Sequence, residues 1–134
     1  VGISCMCMSG GVIYYLNGNN RITRYDGEKT VISEKQYNYI AVDVSNGKLY
    51  CTGLTGLYSF DGKSDGETLI KSGDFSDCYL LADSGRILCF DAFNKSGFVI
   101  NGEKTTEISG VDTAVLFKDK IITKNGNILS AKEI

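Results

Sequence analysis

The groups in this chain whose type and spacing come nearest to chemistry are acidic. Asp43, Asp83, Asp91 and Asp119 each stand beside a turn at one end of a short apolar run. Two carboxylates held about 5–10 Å apart would suit glycoside hydrolysis, one as acid and the other as base or nucleophile. Nothing in the spacing brings any two of these together, and Asp at a strand end ordinarily accepts hydrogen bonds from the turn that follows. The chain has no His, which removes Ser-His-Asp and Cys-His catalysis. Its five cysteines, Cys5, Cys7, Cys51, Cys78 and Cys89, are odd in number and irregularly spaced. That is no disulfide framework, and they read as reduced, small apolar residues on strands. Cys5 and Cys7 would share one strand face, but zinc would need two more thiols from distant positions, so no metal site is expected. The run Asp61–Glu67 imitates a calcium loop, yet Lys63 and Ser72 occupy the third and twelfth positions, where oxygen ligands are required. Gly27-Glu28-Lys29-Thr30 and Gly102-Glu103-Lys104-Thr105 lack both the spacing of a phosphate loop and a helix to follow it. No catalytic residue and no cofactor are assigned, and a non-enzymatic protein is expected.

Aromatic side chains are the remaining candidates. Tyr37, Tyr39 and Phe75 precede or open apolar runs, and Phe93 lies in a loop. Rings presented together on one face would grip a peptide or stack on a sugar. The competing role is packing between neighbouring elements.

The elements that position these residues repeat. Val12-Ile13-Tyr14-Tyr15, Lys48-Leu49-Tyr50-Cys51, Arg86-Ile87-Leu88-Cys89 and Lys120-Ile121-Ile122-Thr123 begin 36, 38 and 34 residues apart. A period of this size means a stack of like supersecondary units. Apolar runs of four to eight residues alternate with Gly, Asn, Asp and Ser, there is no Pro, and no segment keeps a helical period. The first strands of the units read as Ile3–Met8, Tyr39–Val44, Cys78–Ala82 and Thr113–Phe117. The aligned runs are the second strands. The third are Ile22–Tyr25, Leu57–Phe60, Phe98–Ile100 and Ile128–Ser130, and the fourth are Glu28–Ile32, Glu67–Lys71 and Glu103–Ile108. Asp26-Gly27, Asp61-Gly62 and Asn101-Gly102 suit two-residue type I′ turns between third and fourth strands. First strands are apolar throughout and fourth strands polar, the gradient a propeller blade produces from its axis to its rim. The expectation is an all-β, propeller-type array of about four antiparallel four-stranded blades (1–34, 35–73, 74–110 and 111–134), the last incomplete, with 15 strands in one domain.

Bulk composition is that of an ordinary globular chain: 43% hydrophobic, 22% charged, net charge −2 over 134 residues. This balance gives no basic face for a nucleic-acid backbone. The longest apolar stretch, near Val1–Met8, falls far short of the roughly 20 residues of a membrane helix, so neither nucleic acid nor membrane insertion is expected.

The second unit resembles a known family. Ile40-Ala41-Val42-Asp43, then Gly47-Lys48-Leu49-Tyr50-Cys51-Thr52, then Gly56-Leu57-Tyr58-Ser59-Phe60-Asp61-Gly62 is similar to a blade of the YWTD β-propeller type, and to propeller repeats of unassigned function in Firmicutes surface proteins. The pattern is full over Tyr39–Gly62 and partial in the first and third units. Cys51 stands where the family carries Trp, and Gly53 where it carries Asp. The resemblance implies a bacterial interaction module, extracytoplasmic or at a cell surface. Its propeller face would present Tyr37, Tyr39, Phe75 and Phe93 to a protein or peptide, or alternatively, in the manner of a lectin, to a glycan. Four blades with an unfinished last one favour an incomplete ring, closed by a second copy in a homo-oligomer or by additional blades from a larger chain.

Overall fold

Runs rich in Val, Ile, Tyr and Leu become strands because branched and aromatic side chains suit a pleated, half-buried surface. In the computed structural model, which describes residues 5–60 and 66–134, fifteen strands form four antiparallel sheets. The first sheet holds β1 (Cys5–Ser9), β2 (Val12–Leu16), β3 (Ile22–Tyr25) and β4 (Lys29–Val31). The second holds β5 (Tyr39–Asp43), β6 (Lys48–Thr52), β7 (Gly56–Phe60) and β8 (Glu67–Ser72). The third holds β9 (Tyr79–Asp83), β10 (Arg86–Asp91), β11 (Ser96–Asn101) and β12 (Lys104–Ser109). The last has three strands, β13 (Thr113–Phe117), β14 (Lys120–Asn125) and β15 (Ile128–Glu133). Each sheet is a simple meander in chain order, the β-propeller blade arrangement.

The turns differ from the sequence expectation in type. Asn101 pairs with Lys104, so the central residues are Gly102 and Glu103, and only Gly102 has a positive φ, of 62°. That is the type II′ arrangement. Three residues, Asp26–Glu28, separate the paired Tyr25 and Lys29. The type I′ geometry, with both central φ values positive, occurs instead between first and second strands, at Gly10-Gly11 (59° and 78°) and Ser84-Gly85 (53° and 79°). The Asp61-Gly62 turn lies outside the described residues.

Alternation along each strand gives every sheet a leading face toward the preceding sheet and a trailing face toward the next. Three apolar cores result. Tyr14, Leu16 and Ile22 of the first sheet meet Ile40, Leu49, Cys51 and Phe60 of the second. Tyr50 and Leu57 meet Leu80, Ile87, Cys89 and Phe98. Leu88, Phe90 and Val99 meet Ala114 and Ile121. The most buried strands are the second ones: β6 is buried after Lys48, and every residue of β10 after Arg86 is buried. This corrects the expected gradient. A first strand borders the axis on one edge, and Leu81 stays 36% exposed, whereas a second strand has a hydrogen-bonded neighbour on both sides and a sheet on both faces.

Among the described residues, successive sheets touch, but the fourth and first do not. The array is open. Met6 and Met8 on the leading face of the first sheet, and Val115 and Phe117 on the trailing face of the last, are accordingly exposed.

Candidate binding face

In such a meander, the loops between second and third strands emerge at the same end as the connections between sheets. Main-chain hydrogen bonds lock the two sets together. Tyr37 N–H donates to the Asn20 carbonyl (2.8 Å), Phe75 N–H to that of Gly53 (3.0 Å) and Gly110 N–H to that of Lys95 (2.9 Å). One end of the array is thereby a fixed surface rather than a fringe of free loops.

The candidate aromatics occupy unlike places on it. Tyr37 is 2% exposed, edge-on to Tyr58 with ring centroids 5.8 Å apart. Its hydroxyl donates to Glu67, which also holds Lys35 at 2.9 Å. Burial, then this hydrogen bond, pushes the Tyr37 hydroxyl well above the ordinary phenolic range. Desolvation raises Glu67, but the Tyr37 and Lys35 donors outweigh it and leave the carboxyl below its usual value. Phe75 is half-buried and packs edge-on to Phe98 at 5.2 Å. Tyr39 is 36% exposed and Phe93 91% exposed.

Phe93 is displayed by its own loop. Asp91 accepts the N–H groups of Phe93 (2.9 Å) and Asn94 (3.0 Å), and the Asn94 side-chain amide (2.7 Å). Hydrogen bonds from Asn94 and Phe93 prevail over desolvation and hold the Asp91 carboxyl low. Lys95 completes the turn at φ 56°. The matching loop of the preceding sheet is closed by Gly53 N–H donating to the Gly56 carbonyl (3.1 Å), which leaves Leu54 at its tip, 71% exposed. Sequence reasoning missed Leu54. The signal was available, since an apolar residue between two turn glycines has no strand to bury it.

Two grooves run along the flanks between sheets. One, of about 310 Å³, is lined by Ile32, Glu34, Lys35, Phe60 and Glu67, whose charges are largely engaged internally. The other, of about 330 Å³, lies between β12 and β14–β15. It exists because Ser130 and Lys132 hold the positions filled by Tyr58 and Phe60, or by Phe98 and Ile100, in earlier sheets.

The acidic candidates do not gather into one site: Asp43 and Asp83 meet at the Ser84 turn, whereas Asp91 lies at the other end of its blade. Asp43 and Asp91 lie at opposite ends of the blades and each carboxylate is occupied by turn donors. The Ser84 hydroxyl donates to Asp83 (3.2 Å), and the Asp119 carbonyl accepts Ile134 N–H (3.1 Å). Among the described residues no three His, Cys, Asp or Glu groups are placed to hold a metal ion.

All five cysteines are free. Cys51 and Cys89 hold equivalent leading-face positions in separate cores. Burial, with the neighbouring Cys5, pushes the Cys7 thiol up to about 12, burial raises Cys51, and contact with the Cys78 thiol and burial raise Cys89. A thiolate is the reactive form. A thiol reagent at pH 8 is therefore expected to react with five groups in denaturant and with far fewer in the folded chain. Full rapid reaction of the native protein would contradict this burial.

No protein-family profile matches the chain, and no curated protein matches it by sequence. Solved structures match its shape. The WD40 β-propeller domain of Doa1 aligns with a TM-score of 0.69 and 11% identity, over 98% of this chain and 51% of that one. A chain of a nidogen–laminin complex aligns at 0.66 and 15%, over 92% and 56%. A streptogramin B lyase aligns at 0.62 and 20%, over 98% and 54%. The chain thus has a β-propeller fold with propeller repeats, and spans about half the length of the propellers it resembles.

Proposed function

We propose that the chain is a non-enzymatic interaction module that binds a protein or peptide on its loop face. The observation that carries this reading is the pair of apolar loop tips, Leu54 and Phe93, held out to solvent by hydrogen-bonded turns in adjacent blades. An aromatic ring that is 91% exposed contributes almost nothing to folding, whereas at the centre of an interface such a ring carries much of the binding energy. Tyr39, half-exposed on the same face, extends the surface. Tyr37 and Phe75 shape it from below. The propeller neighbours support an interaction role, and the resemblance to surface-protein repeats adds an extracytoplasmic setting. One neighbour is titled a lyase, but the Asp43 and Asp91 carboxylates are engaged by turn donors, which disfavours an acid–base role for these two.

Panning a random peptide library against the folded chain, with a glycan array in parallel, tests the reading. Peptide ligands are expected, and the Leu54→Ala/Phe93→Ala double variant should bind them at least about 30-fold more weakly, the scale of a hot-spot loss, with an unchanged melting midpoint. Glycan binding without peptide binding would overturn it in favour of a lectin.

A further inference from the structure

We infer that the ligand of the loop face is a basic peptide. Its apolar side chains meet Leu54 and Phe93, and its Lys or Arg residues lie between those two tips, over Asp74 and Asp77. The inference rests on the loop-face reading proposed above and adds to it the chemistry of the ligand.

The two tips are joined by one segment, the connection from β8 to β9, Gly73-Asp74-Phe75-Ser76-Asp77-Cys78. On one side it is tied to the Leu54 loop. Gly73 N–H donates to the Thr55 carbonyl (3.2 Å) and Phe75 N–H to the Gly53 carbonyl (3.0 Å). Both bonds thus land on the residues that flank Leu54. On the other side it is tied to the sheet that carries Phe93. The Phe75 ring packs edge-on to Phe98, with centroids 5.2 Å apart, and Cys78 is buried in one core with Cys89. Tyr79 pairs with Phe90, which brings Cys78 opposite Asp91, the residue that folds the Phe93 loop. The segment also closes on itself, since Cys78 N–H donates to the Phe75 carbonyl (3.1 Å). Its shape is set before any ligand arrives, which lowers the ordering cost of binding.

This bridge carries charge of one sign. Asp74 and Asp77 are exposed, and the segment contains no Lys or Arg. Asp74 accepts the Ser76 N–H (3.0 Å) and hydroxyl (2.6 Å), donors that favour its ionised form. Among the described residues, neither Asp74 nor Asp77 forms an ion pair. The adjoining cations are turned to other partners: Lys95 holds Asp112 at 3.2 Å, and the Lys71 amine lies 5.3 Å from the centre of the Phe98 ring.

Two apolar tips with unpaired carboxylates between them define their own complement. A Lys or Arg side chain lays its aliphatic stem along apolar surface while its head group reaches a carboxylate. A guanidinium can also stack on an open ring such as that of Phe93. A neutral peptide would take water from the two carboxylates and return no cation, and an acidic one would meet like charge.

Three immobilised peptide pools test this. All carry the same Leu, Phe and Tyr residues at both ends, and their central positions are Lys/Arg, Ser/Gln or Asp/Glu. At low ionic strength the folded chain is expected to bind the basic pool about 5-fold more tightly than the neutral one, the scale of two exposed charge pairs, and the acidic pool most weakly. Added salt should erase the preference. Asp74→Asn/Asp77→Asn keeps the Ser76 acceptor and the side-chain shapes, so it should leave the melting midpoint unchanged while the basic and neutral pools become equal. Leu54→Ala/Phe93→Ala should weaken binding to every pool. Equal binding of the basic and neutral pools by the wild-type chain would overturn the basic ligand and leave the loop-face reading standing. A basic preference that survives Asp74→Asn/Asp77→Asn would overturn the role of the bridge. Binding of no pool, or binding indifferent to Leu54→Ala/Phe93→Ala, would overturn the loop-face reading and this inference with it.

Discussion

Gly97→Ala is expected to destabilise the chain by about 3 kcal/mol, near the upper end of ordinary overpacking losses, and to lower its melting midpoint by about 10 °C. The cause is close approach rather than backbone conformation, since Gly97 does not have a positive φ. A Cβ there would sit 2.3 Å from the Cys89 carbonyl oxygen, 2.7 Å from the Phe90 Cα and 2.8 Å from the Phe90 Cδ1. Two of these atoms are main chain of the paired strand β10, so no rotamer change clears them. Strands β10 and β11 would have to separate where the Phe90 ring, fully buried and 5.7 Å from Tyr79, anchors the core against the last sheet. Gly102→Ala is the control. Its φ is 62° and nothing lies within 4 Å of its would-be Cβ, so only the left-handed backbone cost of about 1 kcal/mol applies. Equal shifts in urea midpoint for the two variants would remove the close-approach explanation.

That contrast also marks what a linear sequence discloses. Gly102 announces itself as a turn residue beside Asn101, whereas Gly97 reads as the end of a loop and turns out to lie inside β11. The strands, their grouping and the truncated last sheet were legible because apolar runs, glycine punctuation and a repeat of 34 to 38 residues are local signals. The candidate face was legible only in part. Phe93 is exposed because Asp91 folds its loop back, a contact within three residues. Tyr37, from the same composition of signals, is drawn inward by Tyr58 and Glu67, and the hydrogen bond from its hydroxyl to the Glu67 carboxylate spans 30 residues. Local pattern ranks an aromatic residue near a strand start as a candidate, but distant partners decide whether its ring points to solvent.

Asp43 shows the same limit from the energetic side. As the last residue of β5, it reads as a cap for its own turn, and it does accept Ser45 N–H (2.9 Å) and the Ser45 hydroxyl (2.6 Å). Its remaining bonds cross to the next sheet: Ser84 N–H at 3.2 Å and Gly85 N–H at 2.7 Å, 41 and 42 residues away. Both donors belong to a turn in which Ser84 is held at φ 53°, an uncommon conformation for a residue with a side chain. One carboxylate, 0% exposed, thus fixes a strained turn and clamps two blades at the end opposite the loop face. Asp43→Ala leaves those N–H groups without their acceptor, at 1–3 kcal/mol apiece when water does not replace it, and a loss of about 3 kcal/mol is expected. The acid dependence follows from the same contacts. Desolvation raises the Asp43 carboxyl, but hydrogen bonds from Ser45, Gly85 and Ser84 outweigh it and the folded-state value lies below the ordinary one. The group therefore stabilises the fold fully above its unfolded value of about 4, and this contribution drains away as pH falls from there through the lower folded value. Asp43→Asn, which keeps one acceptor oxygen but has no charge to lose, isolates the effect from the other carboxylates. The urea-midpoint gap between wild type and Asp43→Asn is expected to be wide at pH 7 and to narrow by pH 2.5. A gap of constant width across that range would mean that the charge on Asp43 does not hold the two blades together.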